Sequence, residues 1–264
     1  MLGVLIDHIF IREAFLCKSN CTSYTPSIKN LIEIPFQVSS NIQIINLNQP
    51  INADFKCINT KKLLDFINTT ICLHETKNEI YVSNSFQNTT SIWEEEGVIR
   101  ILQLLIRHPH FDFIDIGANI GTYTMYAAAL GRFVLAIDLS KKVLTNQNII
   151  KDPYIVKTIT FDELLPILVA RGVRGAIIKI DIESSESFVV ESGSRVFDAL
   201  EIPFVQMEWI HVRSYFDRAK VIIDFFVKRN YDPKSYSCQL LNTTQYATWP
   251  SDVCWIKRNV SNFC

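Results

Sequence analysis

The turn Asp115-Ile-Gly117-Ala118-Asn119-Ile-Gly121, and the acid Asp138 that follows it, are the residues whose types and spacing first suggest chemistry. Glycine at 117 has no Cβ, so a ligand can lie close to the backbone there. An acid immediately before the turn would repel a diphosphate but suits a ligand that carries an ammonium and a sulfonium. Asp138 stands where two ribose hydroxyls would find a hydrogen-bond acceptor. A dinucleotide site calls for G-x-G-x-x-G, whereas Gly117 and Gly121 here are separated by three residues. The combination favours S-adenosylmethionine over NAD, with Asp115, Gly117, Ala118, Asn119, Gly121 and Asp138 as the cofactor-binding set. A glycine turn that holds no ligand is the plainer alternative.

Further along, Asp181-Ile-Glu183 and Glu208-Trp209-Ile-His211 each end a short apolar run. Methyl transfer from a sulfonium is an in-line displacement, so a protein mainly aligns donor and acceptor and excludes water. A hydroxyl acceptor also gains from a group that removes its proton. Asp181, Glu183, Glu208 and His211 are the catalytic candidates. Carboxylates accept hydrogen bonds from a hydroxylated acceptor, Trp209 could stack on it, and imidazole exchanges a proton near neutral pH. Helix capping and charge pairing are the structural alternative for Asp181 and Glu183. No metal is expected, because no C-x-x-C pair and no paired Asp/Asn set is apparent.

The elements that must position these residues read as α/β. Apolar runs at 111–116, 133–137, 176–180 and 204–207 have the composition of buried parallel strands. The Ala-rich stretch 122–130 reads as the helix between the first two. Ser91 and Glu94 form a capping-box pattern that opens a helix over 92–107, with Trp93, Ile99, Leu102 and Ile106 on its apolar face. Thr160 and Glu163 form a second one. Residues 71–74 and 80–83 read as a hairpin and 61–67 as a short helix. A helix is expected at 140–149, a strand at 154–159, helices at 189–197 and 215–229, and a terminal antiparallel pair at 237–241 and 253–257.

The segment 115–123, with Ile178-Lys-Ile-Asp181-Ile-Glu183-Ser-Ser-Glu186, resembles the FkbM-type methyltransferases over about residues 93 to 257. That resemblance implies a Rossmann-like class I methyltransferase fold, a mostly parallel sheet with a terminal antiparallel hairpin. It implies S-adenosylmethionine as cofactor and O-methylation of a small-molecule or glycan acceptor. It also implies that Trp93 and Glu95 help to cover the donor. The chain departs from the family in a segment over 139–176 that is shortened around the third strand, and in Ser184 where the family has glycine. A catalytically impaired methyltransferase-like binding protein is therefore the alternative reading. An NAD-dependent oxidoreductase is a third, disfavoured by the glycine spacing.

Composition sets the remaining bounds. The 264 residues are 48% hydrophobic with a formal net charge of −1, which offers no basic field for nucleic acid. Residues 1–90 read as an N-terminal extension with a β-hairpin, and 91–264 as the methyltransferase-like domain. The apolar start carries Asp7, His8, Arg12 and Glu13, so it reads as an amphipathic helix. Membrane association through a missing or atypical N-terminal anchor stays open. Seven cysteines are expected at the two ends, away from the sheet. With sequons at Asn20, Asn68, Asn88, Asn242 and Asn259 they hint at a secretory lumen, a cytoplasmic chain being the alternative. Oligomeric state is not legible.

Overall fold

The computed structural model describes residues 4–5, 8–12, 44–46, 56–73, 82–86, 91–138 and 158–264. In chain order the elements are β1 (Val4–Leu5), β2 (His8–Arg12), β3 (Ile44–Asn46), β4 (Lys56–Asn59), β5 (Thr70–Leu73) and α1 (Val82–Ser85). There follow α2 (Glu95–Arg107), β6 (Asp112–Ile116), α3 (Thr122–Ala129), β7 (Val134–Asp138), β8 (Thr158–Ile159) and α4 (Leu165–Ala170). The chain continues through β9 (Gly175–Ile180), α5 (Glu186–Ser192), α6 (Ser194–Ala199), β10 (Glu201–Glu208), α7 (Phe216–Lys228), β11 (Tyr231–Lys234) and β12 (Asp252–Lys257).

Eight strands form one mixed sheet in the order β11-β12-β10-β9-β6-β7-β2-β3. Its centre, β10-β9-β6-β7, is parallel, and β12 enters antiparallel between β10 and β11. Every residue of β9 is buried, because a parallel strand with helices on both faces has no solvent side. One face packs Phe113, Ile177 and Phe204 under Val98, Ile101 and Leu105 of α2 and Tyr126 of α3. The other packs Ile178, Val205 and Trp255 against Val189 of α5, Phe197 of α6 and Phe226 of α7. The sequence therefore folds as the expected α/β architecture. Among the described residues no helix is long and apolar enough to cross a membrane.

Several local expectations are corrected. Residues 71–73 pair upstream with β4, not with 80–83, and the region 82–85 is helical. Residues 61–67 close a tight turn through a Leu63–Ile67 bridge, with Leu64 and Asp65 at positive φ, instead of a helix. Helix α2 starts at Glu95 without the Ser91–Glu94 capping box: the Ser91 hydroxyl donates to the Ser85 carbonyl, and Glu94 is left-handed. Its buried stripe is Val98, Ile101, Leu102 and Leu105, while Ile106 and Trp93 are exposed. The Thr160–Glu163 box forms as expected.

Gly193 splits the 189–197 region between α5 and α6. The terminal antiparallel hairpin is formed by β12 with β11, not with 237–241. Within 154–159 only β8 lies among the described residues, where it pairs with β1; the position beside β7 in the main sheet is taken by β2, running antiparallel. The helix expected at 140–149 lies outside the described residues, as do Cys17, Cys21, Asn20 and Asn88.

Disulfides join Cys57 to Cys72 across the β4–β5 pair and Cys238 to Cys264 near the C-terminus. Cys254 contradicts the expectation that cysteines avoid the sheet: it lies in β12, buried and free. Each disulfide removes loop entropy from the unfolded chain, about 3 kcal/mol for loops of this size. Reductant is expected to lower the urea midpoint accordingly, and a Cys238→Ser, Cys264→Ser double variant to remove roughly half of that drop.

Candidate functional site

The site starts with a register. Asp115 of β6 lies opposite Lys179 of β9, Lys179 opposite Gln206 of β10, and Gln206 opposite Cys254 of β12. This polar row crosses a buried sheet face near the carboxyl ends of the parallel strands, where open α/β sheets bind ligands. Beyond it lie Asp181, just past β9, and the opposed pair Glu208 and Asp252.

Lys179 is the hub. Its ammonium lies 3.1 Å from Asp181 Oδ2, 4.0 Å from Asp115 Oδ1 and 5.0 Å from the centre of the Tyr123 ring, and it donates to the Gly117 carbonyl at 3.2 Å. Burial alone would push its pKa down, but Asp181, Asp115 and Glu94 outweigh that and hold it above the ordinary lysine value. Asp115 is fully buried. Its Oδ2 accepts from the Thr124 backbone N–H at 3.1 Å and the Thr124 hydroxyl at 2.6 Å, which ties β6 to the first turn of α3. Burial raises its pKa in spite of Lys179.

The glycine turn is closed on the protein itself. Gly117 and Ala118 N–H groups both donate to the Ile137 carbonyl, at 2.8 and 2.9 Å, and Gly121 N–H donates to the Ala118 carbonyl. Asn119, exposed and at positive φ, donates its backbone N–H to Asp138 Oδ1 at 3.1 Å. Gly117 has φ +85°, and a Cβ there would collide with the Asp181 carbonyl. Its freedom serves the approach of β9 to β6, which corrects the expectation that a ligand fills that space.

Above the row, Tyr123 donates its hydroxyl to Glu94 Oε2 at 3.0 Å and accepts from Gln206 Nε2 at 3.0 Å. Gly97 of α2 makes this possible, because a Cβ there would meet the hydroxyls of Tyr123 and Tyr236 and the amide of Gln206. Trp93 lies at the surface with its indole N–H on Glu94. Glu95 does not join the row: it pairs with Lys61 at 2.5 Å, so the acid of this segment that does is Glu94.

At the strand tips, Glu183 Oε2 lies 3.2 Å from His211 Nε2, both on the surface. The turn before α5 is held by Glu186, whose Oε1 accepts from Ile182 N–H at 3.1 Å, and by Arg218 of α7 on the Ser184 carbonyl at 2.5 Å. Glu183 and Ser184 both have positive φ, so Ser184 adopts the conformation a glycine would take easily. Burial, then repulsion from Asp181, Glu183, Glu186 and Asp252, pushes the Glu208 carboxyl up to about 9. Burial likewise raises Glu186 to about 7 and Asp252 to about 6. Trp209 corrects another expectation: it is buried against Trp249 and Trp255, its N–H on the Tyr246 carbonyl, so it cannot stack on an acceptor.

No family model, curated protein or solved structure matches this chain. The site is therefore described by its own geometry. Of the sequence candidates, Asp115, Gly117, Asp181, Glu183, Glu208 and His211 gather at the ends of β6, β9 and β10, with Asp138 at the end of β7. Lys179, Gln206, Glu94, Tyr236 and Asp252 were not anticipated. The signal for the first two is a polar residue interrupting a buried apolar strand, which demands a partner.

Lys179→Met leaves Asp115 buried without its cation, so a loss of about 3–5 kcal/mol is expected by chemical denaturation. Glu208, Glu186 and Asp252 hold protons more tightly when folded than when unfolded, so the folded chain binds the excess protons. Stability should fall as pH rises from about 5 to about 9, and Glu208→Gln should flatten that slope in thermal melts.

Proposed function

We propose that this chain is an S-adenosylmethionine-dependent O-methyltransferase of class I fold, acting on a hydroxyl of a glycan or other small hydroxylated acceptor. The observation that carries the reading is the convergence of Asp138, Asp181, Glu208 and the His211–Glu183 pair on the carboxyl ends of adjacent strands, either side of the β6 switch point. The parallel centre with an antiparallel terminal pair agrees with the fold that the FkbM-type resemblance implies. Asp138 would take the ribose hydroxyls, its Oδ1 already steadied by the Asn119 N–H. Asp181 would face the donor's cationic end, and the acid-rich rim favours neutral hydroxylated acceptors over phosphates or carboxylates. His211, oriented by Glu183 at 3.2 Å, would take the acceptor proton as the methyl group moves in line from sulfur to oxygen.

Two disulfides and exposed sequons at Asn68, Asn242 and Asn259 support work in an oxidising lumen. A second reading has a specific observation behind it. Lys179 already neutralises Asp181 and borders Asp115, and the glycine turn satisfies its own N–H groups, which suits a relative that binds without turnover.

Titration calorimetry with S-adenosylmethionine is expected to give saturable uptake, weakened at least about tenfold in Asp138→Ala, since hydrogen bonds to a charged acceptor are lost. Release of S-adenosylhomocysteine over a panel of free sugars should follow. Uptake without release on any acceptor selects the binding-only relative, and no uptake at millimolar donor overturns both.

A further inference from the structure

We propose that Glu183, Glu208 and His211 form a binding site for a divalent transition-metal cation, Mn²⁺ or Zn²⁺, which no motif in the sequence announces. One ligand atom from each residue lies within 4.8 Å of the other two. The His211–Glu183 edge is 3.2 Å. Donors bound at 2.0–2.2 Å around a tetrahedral cation are about 3.3 Å apart, so that edge already has the separation a shared ion requires.

The supports on either side are firm. The 208–211 turn is pinned where Trp209 and Ile210 N–H groups both donate to the Ser251 carbonyl, at 2.6 and 3.1 Å, and where Arg213 N–H returns to the Trp209 carbonyl. Glu183 projects from the turn that Glu186 and Arg218 brace. Side chains carried on braced turns at strand ends can hold a ligand geometry that free loops cannot. Glu183 and His211 are exposed enough to close by rotation onto an ion, and the half-buried Glu208 supplies the third ligand.

A second, independent observation comes from Glu208 itself. Its Oε2 is sealed from solvent and has no hydrogen-bond partner. Orphaned buried oxygens of this kind are uncommon in folded proteins and call for a partner. The fully buried Glu186 in the same acid cluster also has an unpartnered oxygen, Oε2. The neighbouring lysine cannot serve, because the Lys179 ammonium is committed to Asp181 and Gly117. A divalent ion at Glu208, Glu183 and His211 would supply the partner and offset the repulsion among these acids.

The ligand set selects the ion. Two carboxylates and one imidazole, with no thiolate, suit Mn²⁺ or Zn²⁺ and disfavour Cu⁺; the imidazole disfavours Mg²⁺ and Ca²⁺. Three protein ligands leave coordination positions open on the solvent side. On the methyl-transfer reading, and resting on it, those positions would take the acceptor's hydroxyl and lower its pKa, so that with the ion bound His211 would serve as ligand in place of base and the proton would pass to solvent water.

The test uses the full chain, stripped with chelator and titrated with Mn²⁺ and separately with Zn²⁺. One equivalent is expected to bind with a rise in melting temperature. Binding should weaken at least about tenfold in Glu208→Gln and His211→Asn and be unchanged in Asp224→Asn, an exposed residue of α7 paired with Lys220. Pulsed electron paramagnetic resonance of the Mn²⁺-loaded wild type should detect a coordinated imidazole nitrogen, a readout that does not depend on either variant folding. Failure to bind one equivalent, binding in both variants as tight as in the wild type, or no nitrogen coupling would mean that His211 and Glu183 form only a surface ion pair, and would overturn the proposal. Donor uptake is measured without metal, so failure of the methyltransferase reading is seen separately.

Discussion

One buried ammonium sets the terms for the rest of the structure. Lys179 lies in the parallel centre of a mixed sheet, in a row where an apolar residue would be expected, and its position there is tolerable only because Asp115 and Asp181 lie within reach. The dependence is mutual, since Asp115 has no solvent contact and would be an uncompensated buried charge without it. The triad fixes three backbone segments against one another: the end of β6, the turn at Gly117 and the end of β9. Gly117 is glycine because β9 comes close enough at Asp181 to leave no room for a side chain. The shape of the crevice is thus a consequence of charge pairing inside the sheet.

The polar layer that grows from this row explains why α2 and α3 are built as they are. Gly97 lets α2 descend onto two tyrosine hydroxyls and an amide, and Tyr123 of α3 passes the chain of hydrogen bonds from Gln206 to Glu94. The residues that face the solvent end of the crevice, Glu183, Glu208 and His211, are carried by the next tier outward. Their chemistry is set by crowding: several carboxylates share a small volume, and Lys179 nearby is already engaged. A cationic donor, a hydroxylated acceptor and a divalent ion are all species that such a rim would draw in, and phosphates are species it would turn away.

The parts of this arrangement legible in the sequence are those with a strong local pattern. The β6–α3–β7 unit, β9 and β10 stand out because long β-branched runs sit between turn residues, and the tip acids follow them directly. The stripe of α2 is hard to place from sequence because Val98-Ile99 and Leu104-Leu105-Ile106 set apolar residues side by side, so Ile99 and Ile106 compete with Val98, Ile101 and Leu105 and only packing decides. The partner of residues 71–73 is not legible locally because turn chemistry points downstream, while pairing with β4, carrying Cys57 opposite Cys72, lies upstream. Lys179 and Gln206 do not stand out in the sequence because a buried strand reads as apolar on average, and single polar residues are averaged away. The site's extra members, Tyr236 and Asp252, come from far along the chain, and nothing local joins them to Glu94.

Cys254 carries a consequence for how the chain must mature. Among the described residues it is the free thiol beside two disulfides, and burial pushes its pKa up to about 12, so the thiolate needed for exchange is scarce once β12 has joined β10 and β11. Before that docking nothing shields it. Closing the sheet's last strand therefore withdraws this thiol from exchange with the Cys238–Cys264 pair.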